Sequence, residues 1–214
     1  MKAKIALFGA TGMIGQRVLN EALRRGHPVT AIVRDPASMD LSNPNLMVVA
    51  GDVMDVESIA QKVVGHDVVV STLGPGLDAD PEKLVTITRS LLEGVRHSGI
   101  KRVIAVGGAG SLEVAPGIQL ADTPQFPPAW KGIANAHRDA LDIYKQEQKL
   151  DWVNVSPAAL IEPGTRTGQY RTGTDQLLTN ENGESKISAE DFAVAIIDEV
   201  EQPHFSRQRF CVAY

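Results

Sequence analysis

The chain has 214 residues and a formal net charge of −5, with 43% hydrophobic and 22% charged residues. This length supports one domain with a substantial core, and the composition is ordinary for a soluble globular protein. The acidic balance argues against a dedicated nucleic-acid surface, and no apolar run is long enough to span a bilayer. The single cysteine, Cys211, excludes an intrachain disulfide and lies in an apolar run, which predicts an inert buried thiol. We therefore expect a cytoplasmic protein without nucleic-acid or membrane partners.

The segment from Ile5 to Arg34 has the pattern of a strand, a glycine turn, a helix and a second strand. Gly9 permits a tight turn, Gly12 leaves room for a phosphate, and Gly15 lets the helix lie close to the sheet. The N–H groups that open this helix, predicted from Met13 to about Arg25, favour an anion there. The pattern predicts a dinucleotide-binding turn, whose cofactor-binding residues are Gly9, Thr11, Gly12, Met13, Ile14 and Gly15.

Arg34 follows the second predicted strand, at the place where dinucleotide-binding folds contact the adenosine ribose. An acidic residue here typically binds the ribose hydroxyls of NAD, whereas an arginine can pair with the 2′-phosphate of NADP. Asp35 is adjacent and complicates the choice, and a solvent-facing turn arginine is the alternative. We predict that NADP is preferred, with NAD as the alternative cofactor.

The next two strands are predicted at 46–50 and 67–71, with a short helix between them. Asp52 and Val53 follow the first of these and are predicted to flank the adenine, although an aspartate turn explains Asp52 equally well. Thr72, Leu73 and Gly74 follow the second, where the pyrophosphate and the nearby ribose are expected to pass. The loop that begins with Gly74, Pro75 and Gly76 is expected at this same edge.

A helix from Pro81 to about His97 and a fifth strand at 102–106 come next. This strand ends at Gly107, a further predicted cofactor contact, and Ser111 follows as a candidate to hydrogen-bond a substrate carbonyl. Residues 112–128 are proline-rich and predict an ordered loop or lid. His137, on a helix predicted at 129–149, is a candidate proton donor beside the nicotinamide, or alternatively a packed core histidine.

The C-terminal part changes in composition between residues 158 and 187, which we interpret as a small substrate-side insertion. Within it, Asp175–Thr179 and Glu184–Ile187 predict a hairpin around Asn182-Gly183. Ser188 is predicted to cap a last helix, with Asp191 as its reciprocal partner. Together the elements predict one α/β domain over residues 1–214, with a Rossmann-type doubly wound parallel sheet and a small C-terminal substrate-binding segment.

These motifs together resemble the short-chain dehydrogenase/reductase superfamily in its atypical branch. The resemblance runs nearly end to end and rests on GATGMIG, AIVRDP, GDVMD, STLGPG, LDWVNVSPAAL and ISAEDFA. The more specific combination of VGGAGSLEV with SPAALIEPGTRTG resembles the NADH-flavin reductase group, relatives of biliverdin reductase B, and is similar to NmrA-like sensors. Catalytic members of the superfamily usually carry a YxxxK pair, but here Tyr144 is followed by Gln148.

The resemblance leaves two main functions open. The first is an NAD(P)H-dependent reductase that positions a flavin, a quinone or another conjugated acceptor, which can take its proton from water. The second is a non-enzymatic nucleotide sensor, and an epimerase or dehydratase is less favoured because the YxxxK pair is missing. We expect a small-molecule acceptor as the partner, a homodimer as a compatible assembly, and no metal site.

Overall fold

The computed structural model describes residues 2–75 and 81–214, so Gly76 of the loop expected after the fourth strand lies outside the described residues. The strands are β1 Ile5–Phe8, β2 Val29–Val33, β3 Leu46–Ala50, β4 Val68–Ser71, β5 Arg102–Val106, β6 Glu113–Ala115, β7 Ile118–Gln119, β8 Asp151–Ser156, β9 Leu160–Glu162, β10 Arg171–Gly173, β11 Lys186–Ser188 and β12 Gln208–Ala213. The helices are α1 Met13–Arg24, α2 Val56–Val63, α3 Pro81–Ser98, α4 Pro128–Gln146 and α5 Ala189–Glu201.

The main sheet has eight strands in the order β10-β12-β8-β5-β4-β1-β2-β3. All of its neighbours are parallel except β10 and β12, which are antiparallel. From β3 through β1 to β8 this is the Rossmann order, with its reversal point between β1 and β4. The predicted Rossmann-type doubly wound parallel sheet is therefore confirmed, and the C-terminal ends of β1 to β5 meet at one edge.

Helices cover both faces of the sheet because its central strands are buried on both sides. In β1, Ile5 and Leu7 belong to the core beneath α1 and α5, whereas Ala6 and Phe8 belong to the core beneath α2, α3 and α4. This alternation explains why the strand reads as a continuous apolar run rather than as alternating polar and apolar residues.

Helix ends largely follow the local signals in the sequence. Gly26 and Gly99 follow α1 and α3 with φ of +79° and +81°, a conformation that glycine adopts readily. Helix α4 ends at Gln146 rather than at the predicted Lys149. The reason is local, because the Glu147 carboxylate accepts hydrogen bonds from the N–H groups of Lys149 and Leu150 and turns the chain toward β8.

The predicted hairpin between Asp175–Thr179 and Glu184–Ile187 is wrong. Its turn exists, with Gly183 at φ +77°, but the flanking residues pair with other parts of the chain. Strand β11 pairs in parallel with β9, and residues 175–177 bond to Glu113, whose N–H donates to the Asp175 carbonyl at 2.8 Å. Backbone partners from distant segments replace the local pairing that the Asn-Gly turn predicts.

In the part of the chain that the structure describes, no helix combines the length and the apolar character needed to cross a membrane. Cys211 lies in β12, is 1% exposed, and its burial raises the pKa of the thiol. The predicted buried thiol is therefore confirmed.

Candidate functional site

The turn between β1 and α1 is shaped by three glycines with different environments. Gly9 has φ +83°, which a residue with a Cβ rarely adopts. A Cβ on Gly15 would lie 1.9 Å from the carbonyl oxygen of Gly9, so only glycine fits where the helix meets the turn. A Cβ on Gly12 would have the Gly9 oxygen at 3.4 Å as its nearest neighbour, so the space beside Gly12 is open. Thr72 supports the turn from β4, because its hydroxyl donates to the Phe8 carbonyl at 3.0 Å.

The start of α1 presents free hydrogen-bond donors. Gly12 is the N-cap, offers no capping side chain, and accepts from the N–H of Gln16 at 2.9 Å. Within residues 2–75 and 81–214, the N–H groups of Met13, Ile14 and Gly15 have no protein acceptor, and the first turn has no acidic residue. Free donors at the positive end of a helix dipole, beside the open space at Gly12, fit the pyrophosphate of a dinucleotide.

The end of β2 places a cation at the same edge. Arg34 is exposed and makes no hydrogen bond or ion pair with any residue that the structure describes. Asp35 is turned into its own loop, where its carboxylate accepts from the Ala37 N–H at 3.0 Å. The neighbouring aspartate therefore does not neutralise Arg34 through a direct contact.

A hollow of about 220 Å³ lies between the glycine turn and the segment after β2. Thr11, which is exposed, lines it on one side, and Ser38 and Asp40 line it on the other. The hollow joins the glycine turn to the segment that follows Arg34, and the adenosine end of a dinucleotide is bound in this region of Rossmann folds.

The ends of β3 and β4 bring the remaining predicted cofactor residues to this edge. Asp52 is exposed and its carboxylate accepts from the Met54 N–H at 2.9 Å, so the alternative of an aspartate turn describes its contact. Val53 and Leu73 are partly buried against the core beneath α2, α3 and α4. Gly74 is exposed and lies beside His137, because a Cβ on it would be 3.8 Å from the His137 Nε2.

Two adjacent glycines at the end of β5 are each in contact with a polar side chain. A Cβ on Gly107 would lie 2.1 Å from the Oδ1 of Asn154, and a Cβ on Gly108 would lie 2.8 Å from the Cβ of His137. The structure thus places His137 directly above the end of β5. Sequence reasoning missed Asn154, although a polar residue inside the apolar run of β8 was a usable signal.

His137 is partly buried and forms no hydrogen bond with the described residues. Burial lowers the pKa of its imidazole to about 4. The ring is therefore neutral at physiological pH, with one nitrogen that donates and one that accepts. Its position agrees with either predicted role, substrate-side donor or packed histidine, and the catalytic assignment stays a prediction.

Ser111 is buried and hydrogen-bonded to an arginine of the last strand. It is 5% exposed, and its hydroxyl and its carbonyl oxygen accept from the Arg209 guanidinium at 2.8 and 3.2 Å. Sequence reasoning missed Arg209, since nothing local links a residue of the last strand to the loop after β5. The predicted role of Ser111 toward a substrate carbonyl stays a prediction that this contact does not favour.

Tyr144 lies in the core rather than at the site. It is 3% exposed, its ring packs 5.9 Å from that of Trp152, and burial raises the pKa of its phenol well above the usual range. Gln148, four residues later, lies beyond the end of α4. The tyrosine–lysine pair of alcohol oxidation therefore has no counterpart on this helix.

Three relatives match this chain over nearly their whole length. An uncharacterised protein of Bacillus subtilis (strain 168), YwnB, is 36% identical over 98% of this chain and 97% of its own. A solved Burkholderia pseudomallei protein, provisionally named as exported, is 52% identical with a TM-score of 0.91, covering 99% of this chain and 100% of its own. A solved Streptococcus pneumoniae protein, provisionally named an NADH-flavin reductase, is 32% identical with a TM-score of 0.86, covering 99% of both chains.

A family model described as NAD(P)H-binding matches residues 9–203, from the first glycine of the turn to beyond the last helix. With the Rossmann order of the sheet and the free donors of the glycine turn, this match leads to one conclusion. The chain belongs to the NAD(P)H-binding family, and its fold is that of the oxidoreductases in it.

Proposed function

We propose that this protein is an NADPH-dependent reductase of a flat, conjugated small molecule such as a flavin or a quinone. The observation that carries the proposal is the pairing of two features at one sheet edge. The glycine turn offers free phosphate-binding donors, and the end of β5 offers a neutral imidazole with no tyrosine–lysine pair. Such a site suits an acceptor that needs orientation rather than a strong protein acid.

The residues divide into those that hold the cofactor and those that face the acceptor. The N–H groups of Met13 to Gly15 would hold the pyrophosphate, and Arg34 would pair with the 2′-phosphate. NADPH supplies the hydride when it is bound. Neutral His137 can donate one hydrogen bond to an acceptor oxygen or nitrogen, and a reduced flavin or quinone can take its proton from water.

The Streptococcus pneumoniae relative supports the acceptor class, because its provisional name is an NADH-flavin reductase. That name gives NADH, whereas Arg34, which is exposed and has no partner among residues 2–75 and 81–214, favours NADPH in this chain. The cofactor preference and the acceptor class are therefore tested separately.

Cofactor choice is tested by titrating the protein with NADPH and NADH and following nicotinamide fluorescence. We expect NADPH to bind at least about tenfold more tightly, because an arginine–phosphate pair contributes more than about 1.4 kcal/mol. Arg34→Ser should remove this preference. Arg89→Ser, at an exposed arginine of α3, is the matched control and should retain it. Equal affinities in the unaltered protein would contradict the NADPH assignment.

Turnover is tested by oxidation of NADPH with free FMN, FAD and a panel of quinones and aldehydes. We expect turnover with at least one flavin or quinone and none with simple aldehydes. Tight NADPH binding without turnover of any acceptor would overturn the reductase proposal and favour the nucleotide sensor.

A further inference from the structure

A second hollow, of about 340 Å³, opens where α1 meets α5 and the segment at 158–187. We call it the arginine hollow, and its lining residues are all polar or charged: Gln16, Arg17, Asn20, Glu21, Arg24, Arg166 and Glu190. It shares Gln16 and Asn20 with the hollow beside the glycine turn, so the two are neighbours along α1. A charged ligand therefore suits the arginine hollow better than an apolar one.

A buried carboxylate fixes two guanidinium groups at this hollow. Arg24 donates from Nε and Nη2 to the two oxygens of Glu21 at 2.9 and 2.8 Å, and Arg166 does the same at 2.9 Å each. Glu21 is 4% exposed, whereas the side chains of Arg24 and Arg166 are 53% and 38% exposed. The two guanidinium groups are therefore held in place from below while solvent reaches them, which lowers the entropy cost of binding a ligand.

The arginines of the hollow keep hydrogen-bond donors that the protein does not use. Among residues 2–75 and 81–214, no acceptor lies on Nη1 of Arg24, on Nη1 of Arg166 or on Nη2 of Arg17. The amide of Asn20 is exposed and likewise has no partner in the described part of the chain. Four groups that can donate thus border one hollow, and a phosphate offers the several acceptor oxygens that such a set can bind.

The charge of the hollow also favours an anion. Its lining has three arginines and two glutamates, a net charge of +1, in a chain with a formal net charge of −5. The second glutamate, Glu190, is already engaged, because it accepts from Arg17 Nε at 3.0 Å and from the Gly164 N–H at 2.7 Å. A local positive charge in an acidic protein attracts anions to this place.

We propose that the arginine hollow is a second anion site, separate from the glycine turn, which binds a small molecule through a phosphate group. The phosphate oxygens accept from the free terminal nitrogens of Arg24 and Arg166, and Arg17 and Asn20 supply further donors. A phosphate fits better than a carboxylate, because it carries more charge and more oxygens for separate guanidinium groups. This site does not depend on the proposed reductase function.

The bound phosphate would link two parts of the molecule. Arg24 belongs to α1, whereas Arg166 belongs to the segment at 158–187, so an anion that accepts from both adds a contact between them beside Glu21. The N–H groups of Thr167 and Gly168 follow Arg166 directly and donate to Asp191. Their exchange with solvent deuterium therefore reports whether the ligand holds this segment against the helices.

Binding is measured by isothermal titration of the full chain with inorganic phosphate, and with acetate at the same ionic strength. The protein is saturated with NADPH, so that the glycine turn is occupied. We expect phosphate to bind at least about tenfold more tightly than acetate, because of its higher charge. No binding of phosphate, or equal affinities for the two anions, would overturn the proposal. If NADPH itself does not bind, the proposed function fails, and the variants below alone decide this one.

The place of binding is tested with Asn20→Asp, which puts a negative charge into the hollow without removing any hydrogen bond of its arginines. It should raise the Kd for phosphate at least about tenfold at low ionic strength. Asn135→Asp is the matched control, since Asn135 is an exposed residue of α4, and it should leave the Kd unchanged. An unchanged Kd in a folded Asn20→Asp would show that phosphate binds elsewhere.

Hydrogen exchange tests the contact with Arg166. Phosphate should slow the exchange of the Thr167 and Gly168 amides at least about threefold in the unaltered protein, and it should have no such effect in Asn20→Asp. Unchanged exchange in a protein that binds phosphate would overturn the assignment of Arg166 to the site.

Discussion

Gly12 and Gly15 lie in the same turn, but a methyl group would meet different surroundings at each. Gly15→Ala places a Cβ 1.9 Å from the Gly9 oxygen, so the helix must move away from the turn. Gly12→Ala places it 3.4 Å from the same atom, at a φ of −75° that alanine adopts freely, in the open space where we propose that the cofactor phosphate binds. The first variant tests the fold of the turn and the second tests its ligand.

We expect Gly15→Ala to lower the free energy of unfolding by about 1–3 kcal/mol, the usual cost of overpacking. Gly12→Ala should change it by less than about 0.5 kcal/mol. The Kd for NADPH should nevertheless rise at least about tenfold in Gly12→Ala. Urea denaturation and nicotinamide fluorescence measure the two effects, and unaltered NADPH binding by Gly12→Ala would show that the phosphate lies elsewhere.

His137 makes the stability of the protein sensitive to acid. Its pKa is lowered from 6.5 to about 4 by burial, so the unfolded chain binds a proton that the folded chain rejects. The contribution of His137 to stability is therefore complete above about pH 6.5, falls as the pH drops toward 4, and falls no further below that. Burial of the imidazole is the cause of this lowered pKa.

We expect His137→Gln to lose less stability than the unaltered protein between pH 7 and pH 4.5, as measured by urea denaturation at each pH. The control is His97→Gln, which replaces a histidine whose side chain is 50% exposed and whose ion-pair partner, Glu57, is 74% exposed. A pH dependence in His137→Gln identical to that of the unaltered protein would mean that the imidazole is already solvated in the folded state.

At this residue scale, the sequence predicts positions better than contacts. The spacing after β1 and β2 was enough to place Gly9 to Gly15 and Arg34 at the C-terminal edge of the sheet. It could not show that Asp52 would bond to the N–H of Met54, or that Ser111 would bond to Arg209. The Asp52 contact depends on the conformation of its own loop, which leaves the Met54 N–H free to donate. The Ser111 contact depends on Arg209, which lies in the last strand, far along the chain.

At the scale of elements, the segment at 158–187 is held against α1 and α5 by hydrogen bonds to buried carboxylates on these helices. Asp191 of α5 is 0% exposed and accepts from the N–H groups of Thr167 and Gly168 at 2.8 and 2.7 Å. Ser188 caps α5 as predicted, because its hydroxyl accepts from the Asp191 N–H at 3.0 Å. The reciprocal half of that prediction is wrong, since the Asp191 carboxylate holds Thr167 and Gly168 instead of the cap.

Glu21 of α1 is the second buried carboxylate that holds this segment. It is 4% exposed, and Arg166 donates to it twice, at 2.9 Å each. Burial disfavours its charge, but the hydrogen bonds from Arg166, Arg24 and Arg25 outweigh this and hold the pKa of Glu21 well below its usual range. The sequence pattern of α1 does not distinguish Glu21 from an ordinary surface carboxylate of a helix. Its partner Arg166 lies in a segment without regular periodicity, so the sequence does not reveal the pair.

We expect Asp191→Ala to lower the free energy of unfolding by about 2–5 kcal/mol, because it removes a fully buried carboxylate that accepts four hydrogen bonds. Limited proteolysis of the variant should cut first within residues 160–187. Asp142→Ala removes a carboxylate that is 57% exposed and pairs with Lys145, so it should change stability by less than about 0.5 kcal/mol. Equal proteolysis of the two variants would mean that other contacts hold the segment.

At the scale of the whole molecule, the alternation of strands and helices was sufficient to predict the sheet. Strands β1 to β5 and β8 are apolar runs of four to six residues, each separated by a helix or loop that carries a clear stop signal. The short strands were not predictable in the same way. Strands β9, β10 and β11 have three residues each and pair with distant segments, so their stability comes from partners that no local pattern reveals.

The contact between Arg209 and Ser111 links the opening of residues 111–115 to that of residues 175–177. The Nε of the same guanidinium donates to the Asp175 carboxylate at 3.0 Å, and the N–H of Leu177 donates to the Glu113 carbonyl at 2.8 Å. Residues 111–115 and 175–177 therefore share one buried cation and a pair of backbone hydrogen bonds. Moving either segment away from the rest of the protein would therefore break hydrogen bonds that the other segment makes.

We expect the amide protons of Glu113 and Leu177 to exchange with solvent deuterium at matching rates, as members of one cooperative unit. Arg209→Met should speed both equally, while the Asn180 amide, which bonds to the Glu184 carbonyl within its own turn, keeps its rate. Different rates at Glu113 and Leu177 would show independent opening. If the rates match, residues 111–115 and 175–177 open together as one unit.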